Sequence, residues 1–159
     1  MNPRRETVAT KLAAAVSRLD TVLSPWGFSF VADEIQSSHC GPFASGHYDR
    51  DTTRIGISCR DAIDNLYYEH TFVTRNACST ESERFTIAHA TLMDALGHSD
   101  ECRLITTDDI PDAIVARDGG DRVDALIHDL NVFASRVLSE PCDDFYTIVR
   151  RGHRSYSVA

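Results

Sequence analysis

Lysine, paired cysteines and long hydrophobic runs are scarce in this chain of 159 residues. Lys11 is the only lysine, so arginine carries nearly all of the positive charge. The five cysteines form no Cys-x-x-Cys pair, which argues against a zinc ribbon or a disulfide framework and is typical of free thiols in a reducing compartment. The longest uncharged apolar run near the N-terminus, Leu12 to Val16, is too short for a signal peptide or a membrane span. We therefore expect a cytoplasmic protein without membrane association.

Positive charge is in the minority as well. The chain has 24 acidic and 16 basic side chains and a net charge of −8. This balance opposes binding to nucleic acid, which requires a basic surface. Between residues 108 and 129 there are seven aspartates and two arginines. Such a segment would attract a basic protein partner mainly by speeding association, although a solvated helix surface is the simpler interpretation.

Alternating apolar and polar residues between positions 28 and 73 predict an antiparallel sheet of about four strands. These strands are expected over Phe28–Ala32, Phe43–Arg50, Arg54–Arg60 and Leu66–Val73. Ile55 and Ile57 would share one face of the third strand and Arg54 the other, because side chains alternate along a strand. We expect one face to be buried and the other to stay open.

Helical patterns flank this predicted sheet. Asn2 is suited to cap a helix over Pro3–Leu23, whose apolar residues recur every three or four positions. Thr80 and Glu83 match a capping box and predict a helix that runs to Leu96. Further along, the patterns predict a short strand at 103–106, a short helix at 109–116, a long helix over 121–138, a final short helix from Pro141 and a frayed tail at 153–159. The order predicts a single α+β domain over residues 1–159, with three or four helices on one face of the sheet.

The open sheet face is the first candidate binding surface. We expect Tyr48, Arg54, Tyr67 and Glu69 to lie on it and to contact a protein partner. Several immunity proteins and secretion chaperones are small acidic domains of this class, so the leading hypothesis is a non-catalytic bacterial cytosolic binding protein of that kind with a basic partner. That analogy rests on size, charge and fold class alone. A partner can also add a strand to an exposed sheet edge.

A polar cluster near residues 39–49 supports an alternative hypothesis, a small-molecule- or metal-binding enzyme. His39 and Cys40 lie in a predicted loop, while His47 and Asp49 share a strand face that a hairpin would bring close to them. Zinc requires three or four such ligands in a tetrahedral arrangement, but this spacing matches no known motif. Separate loop and strand residues are the simpler interpretation, and we predict neither a cofactor nor a bound metal.

The other polar motifs have structural interpretations. His89 and His128 fall in predicted helices, where histidines are commonly satisfied core or boundary residues. No Ser/His/Asp arrangement can be identified, and the glycine pair at 118–121 lacks the lysine of a phosphate-binding loop. A third hypothesis is a homodimer that uses the sheet or the terminal helix as its interface.

Overall fold

The computed structural model of the chain describes residues 3–106, 114–139 and 147–148. Its architecture is α+β. The chain runs through α1 (Pro3–Leu23), β1 (Ser29–Ala32), β2 (Gln36–Ser38), β3 (Gly41–Arg50), β4 (Thr53–Cys59), β5 (Ile63–Arg75), β6 (Thr80–Ala88), α2 (His89–Ala95), β7 (Leu104–Thr106), β8 (Ile114–Ala116) and α3 (Arg122–Asp129). A π-helical turn, Leu130–Ala134, then joins α3 to a last short helix, α4 (Ser135–Leu138).

The main sheet is antiparallel and has six strands. Its order is β1-β3-β4-β5-β6, and β2 pairs with β3 beyond the end of β1. Tyr48, Ile55, Tyr68 and Ile87 lie opposite one another across four neighbouring strands. Because directly opposed residues point to the same face, these four side chains form one row on the buried inner face. Strands β7 and β8 form a separate hairpin sheet.

The helices cover the inner face. Leu12, Leu19 and Leu23 of α1 are at most 5% exposed and belong to the same buried cluster as the inner-face strand residues. Burial of each leucine contributes about 1.5–3 kcal/mol. Leu92 of α2 and Leu126 of α3 extend that cluster. Among the described elements no helix packs on the opposite side of the sheet. That side, termed the open face, carries His47, Asp49, Arg54, Tyr67, Glu69 and Arg84.

Strands β5 and β6 extend beyond the rest of the sheet. The pairing of β4 with β5 ends at His70, whereas β5 and β6 continue for five further residue pairs. This β5–β6 arm, residues 71–84, is about 16 Å long at the usual rise along a strand. Phe72 anchors its base against Phe85, with ring centroids 5.1 Å apart. The side chain of Asn76 accepts hydrogen bonds from the Cys78 and Ser79 backbone N–H groups and orders the tip.

The predicted helix over residues 80–96 is wrong in its first half. Residues 80–88 form strand β6, and the helix begins only at His89. Phe85 and Ile87 are buried while Thr86 is exposed, which is the two-residue period of a strand. Pairing with β5 along nine residues overrides the local capping signal. Including β6 and the short β2, the predicted count of about four strands is too low.

The other predictions of secondary structure have mixed outcomes. The bounds of α1 agree with the prediction, and Asp121 caps α3 by accepting from the Asp124 N–H at 2.9 Å. The predicted helix over 121–138 is correct in extent but contains the π-helical turn. A strand at 104–106 is confirmed, whereas 114–116 is a strand and not part of a helix. The helix predicted from Pro141 lies almost wholly outside the described residues. The Asn2 cap and the 153–159 tail lie entirely outside them.

Candidate functional site

Alternating charges cross the open face from strand to strand. In the register, Asp49 on β3 lies opposite Arg54 on β4, and Arg54 lies opposite Glu69 on β5. Arg54 donates from Nε to Asp49 Oδ1 at 2.7 Å and from Nη2 to Asp49 Oδ2 at 3.1 Å. Arg84 on β6 extends the series, with its Nη1 3.8 Å from Glu69 Oε2. The result is a charge row, Asp49–Arg54–Glu69–Arg84, of alternating sign.

A polar groove of about 530 Å³ lies beside this charge row. It runs between the β3–β4 turn and the base of the β5–β6 arm, which are joined by a hydrogen bond of 2.9 Å from Thr71 N–H to Thr52 O. Its lining contains three carboxylates and two guanidinium groups, and is formed by Asp49, Asp51, Thr52, Thr53, Arg54, Glu69, Thr71, Ser82 and Arg84. The Thr53 hydroxyl is directed away from the groove, to His70 Nδ1 at 2.8 Å. The groove therefore offers mainly charge and hydrogen bonding.

Tyr67 forms an aromatic platform on the open face. Its ring lies over Gly56, because a Cβ added to that glycine would sit 2.0 Å from Tyr67 Cζ. The absence of a side chain at Gly56 therefore permits the ring to lie against the sheet. Burial, and then the charge of Glu69, raises the pKa of Tyr67 above its usual value. Its hydroxyl consequently stays protonated near neutral pH and can donate a hydrogen bond.

His47 lies on the open face between two carboxylates. Its Nδ1 is 3.7 Å from Asp33 Oδ1 and its Nε2 is 3.3 Å from Asp49 Oδ2. Because the two acids approach opposite nitrogens of the ring, a metal on either nitrogen could recruit only one of them. This geometry favours a histidine that contacts two carboxylates over a metal ligand.

His39 and Cys40 do not join His47 and Asp49. Both are exposed in the β2–β3 turn, and His47 lies six positions along β3 from Gly41, a distance of about 20 Å. Within residues 3–106, 114–139 and 147–148, no three His, Cys, Asp or Glu side chains are placed to hold a metal ion. The structure therefore brings together His47 and Asp49, but not the four-residue cluster considered from the sequence.

Tyr48 lies on the inner face, so the expectation that it shares the open face is wrong. The residue is fully buried, and its hydroxyl donates to Asp20 Oδ1 of α1 at 2.8 Å. Burial, and then this hydrogen bond, raises the pKa of Tyr48 well above its usual value. The register places Tyr48 opposite Ile55. The other three expected residues, Arg54, Tyr67 and Glu69, do lie on the open face.

A buried polar network of Tyr68, His89 and Asp129 joins β5, α2 and α3. Each of the three residues is at most 1% exposed. Tyr68 Oη lies 2.7 Å from His89 Nδ1, and His89 Nε2 lies 2.9 Å from Asp129 Oδ2. Because an ionised carboxylate only accepts hydrogen bonds, Nε2 of the imidazole donates to Asp129. In the neutral ring, Nδ1 then accepts from the Tyr68 hydroxyl.

Asp129 is the centre of this buried network. It also accepts from the backbone N–H groups of Arg103 at 2.8 Å and Leu104 at 2.9 Å, and His128 Nδ1 lies 3.1 Å from Oδ1. Burial acts to raise the pKa of Asp129, but these hydrogen bonds, led by the one from His89, outweigh it and lower the pKa. The carboxylate therefore stays ionised and fastens β7 to α3.

The buried network has the hydrogen-bond order of a nucleophile, a base and an orienting acid. A substrate has no access to it, because all three side chains are enclosed. Three surface grooves of the described residues, including the polar groove of the open face, are lined by other side chains. We interpret the network as a structural element. Sequence reasoning missed it because His89 and Asp129 are 40 positions apart and no local motif links them.

Comparison with known proteins supplies no function for this chain. No protein-family model matches the chain, and neither a curated protein nor a solved structure shows significant similarity to it. Among the described helices, none combines the length and the apolar character needed to cross a bilayer.

Proposed function

We propose that this chain is a non-catalytic binding domain of the bacterial cytosol that holds a protein partner on the open face of its main sheet. The observation that carries the proposal is the charge row, Asp49–Arg54–Glu69–Arg84, beside the Tyr67 platform. Arginine and tyrosine are enriched among the residues that contribute most to protein interfaces. Alternating charge gives an interface specificity and a preferred register.

The open face is preorganised for such a role. Arg54 is held by two hydrogen bonds to Asp49, and Tyr67 is held against Gly56. A partner would therefore meet side chains that have already lost much of their conformational freedom, which lowers the entropic cost of association. The net charge of −8 further favours a basic partner. These features suit an immunity-like or chaperone-like protein.

The cysteines support the proposed compartment. Cys40, Cys59, Cys78 and Cys102, all within the described residues, are free thiols. Burial, and then the charge of Asp64, raises the pKa of Cys59, and burial followed by the charge of Asp129 raises that of Cys102. Buried protonated thiols behave as small apolar core residues. Free thiols of this kind are typical of a reducing cytosol.

The alternative hypothesis, an enzyme that uses residues 39–49, receives less support. His39 and Cys40 are remote from His47, and the polar groove contains no histidine or cysteine. The buried network has suitable chemistry but no access for a substrate. A binding role requires neither a convergent His/Cys cluster nor access of a substrate to the buried network. It uses the open face, which is exposed.

Site-specific photocrosslinking tests the proposal. Val31 on the open face and Val132 on the helical side are both exposed valines, at 49% and 57%. A photoreactive residue at position 31 should crosslink a protein partner in the native cytosol, whereas the matched residue at position 132 should not. Arg54→Glu should abolish the crosslink while the thermal unfolding midpoint shows that the domain remains folded. Equal labelling from both positions, or none from position 31, would contradict the proposal.

A further inference from the structure

The carboxylates of the polar groove differ in how far they are neutralised. Asp49 is occupied by the bidentate contact with Arg54. Asp51 is exposed in the β3–β4 turn, where it adopts a φ of 50°. The side chain of Glu69 is only 15% exposed and lies in the groove lining between Arg54 and Arg84. Glu69 is therefore the most deeply placed acid that retains the capacity to accept hydrogen bonds.

The ion pair of Glu69 is weak. Arg84 Nη1 lies 3.8 Å from its carboxylate, beyond hydrogen-bond distance, and the Arg84 side chain is 67% exposed. An exposed pair at this separation contributes about 0–1 kcal/mol. The stronger donor nearby, Arg54, is directed at Asp49. Among the described residues, no side chain donates a hydrogen bond to the Glu69 carboxylate, so an incoming donor would not have to break one.

We propose that the polar groove receives a basic side chain, arginine or lysine, of the protein partner, with Glu69 as its principal acceptor and Arg84 as the internal cation that it displaces. This inference rests on the proposed function and specifies the chemistry of the partner. A guanidinium group presents five donors and matches a carboxylate in two parallel hydrogen bonds. The hydroxyls of Thr71 and Ser82 supply further acceptors in the groove lining.

The charge balance of the groove favours a cation over an anion. Three carboxylates face two guanidinium groups, and one of those guanidinium groups is already paired. A phosphate or carboxylate entering the groove would meet the partly buried Glu69 and be repelled. An anionic ligand would instead require Arg84 as its main contact. The two ligand classes therefore predict opposite effects of substitution at Arg84.

The test is a titration of the isotope-labelled full chain, followed by two-dimensional NMR at low ionic strength. The probe is the capped peptide Gly-Arg-Gly-Arg-Gly, and the matched control is Gly-Glu-Gly-Glu-Gly. The arginine peptide should shift the amides of Thr52, Glu69 and Ser82, and the glutamate peptide should not. Glu69→Gln should weaken binding of the arginine peptide roughly fivefold, and Arg84→Gln should tighten it roughly twofold.

The two substitutions separate the possible outcomes. Weaker binding of the arginine peptide by Arg84→Gln would overturn the inference. Shifts caused by the glutamate peptide would identify an anion site and would overturn it as well. Unchanged affinity in Glu69→Gln would also overturn it, provided that the thermal unfolding midpoint is retained. If crosslinking from position 31 succeeds while the arginine peptide does not bind, the open face is an interface, but the inference that its groove receives a basic side chain is wrong. If position 31 fails to crosslink, the proposed function itself is refuted.

Discussion

Removal of the Asp129 carboxylate should destabilise the fold strongly. Asp129→Ala would leave three donors without an acceptor: the N–H groups of Arg103 and Leu104 and the imidazole Nε2–H of His89. A buried donor without a partner costs about 1–3 kcal/mol. The Leu104 N–H and the His89 side chain are buried, and the Arg103 N–H is partly so. The expected loss is therefore about 3–5 kcal/mol.

The assay is urea denaturation followed by far-ultraviolet circular dichroism, with the free energy of unfolding extrapolated to water. Asp124→Ala is the matched control, because Asp124 is an aspartate of the same helix whose side chain is 73% exposed. Its loss should be below about 1 kcal/mol. Domains of this size are stable by about 5–15 kcal/mol, so the Asp129 variant should show a clear shift in midpoint. A loss no larger than that of the control would refute the assignment of Asp129 as the centre of the buried network.

Other predictions concern pH, packing and the open face. Because the pKa of Asp129 is lowered in the folded state, its stabilisation is fully present above about pH 4 and is lost as pH falls through the folded pKa. The wild-type chain should therefore lose more stability than Asp129→Asn between neutral pH and pH 3, measured by thermal unfolding. Leu92→Ala should cost about 2–5 kcal/mol in urea unfolding, and a loss below about 1 kcal/mol would contradict its core position. Gly56→Ala should cost about 1–3 kcal/mol through its clash with the Tyr67 ring. That cost should be smaller in the Tyr67→Ala background, and an equal cost would exclude the contact.

Local sequence patterns were sufficient to predict elements whose periodicity is evident within a single segment. The apolar stripe of α1 and the alternation in β4 each predicted an element and its buried side, because helical and strand periods differ within a few residues. The same reasoning correctly placed Arg54, Tyr67 and Glu69 on one face. It failed at Tyr48, which was assigned to the open face without a register. The position of a side chain across a sheet depends on pairing with distant strands.

Strand β6 shows why features that depend on distant contacts were not predictable from the sequence. Its residues fit a capping box and a helical stripe, and only nine residue pairs with β5 select the strand. Tertiary pairing commonly overrides such local preferences. The buried network is a still more distant feature, since His89 and Asp129 meet across 40 positions. The polar groove is likewise formed by residues from the β3–β4 turn and the β5–β6 arm, which no single segment reveals.

The order of the strands has a consequence for how the chain reaches its native state. Strands β3 to β6 are neighbours in the sheet in the same order as in the sequence. Each of these strands can therefore pair with the previous one by closing a short loop. The contact order of the β3–β6 meander is consequently low, which favours its rapid formation. The bonds of Asp129 to His89 and to the Arg103 and Leu104 backbone require α3 to arrive from far along the chain. We expect the meander to fold early and these bonds to form late, so that loss of the carboxylate accelerates unfolding while leaving the folding rate nearly unchanged.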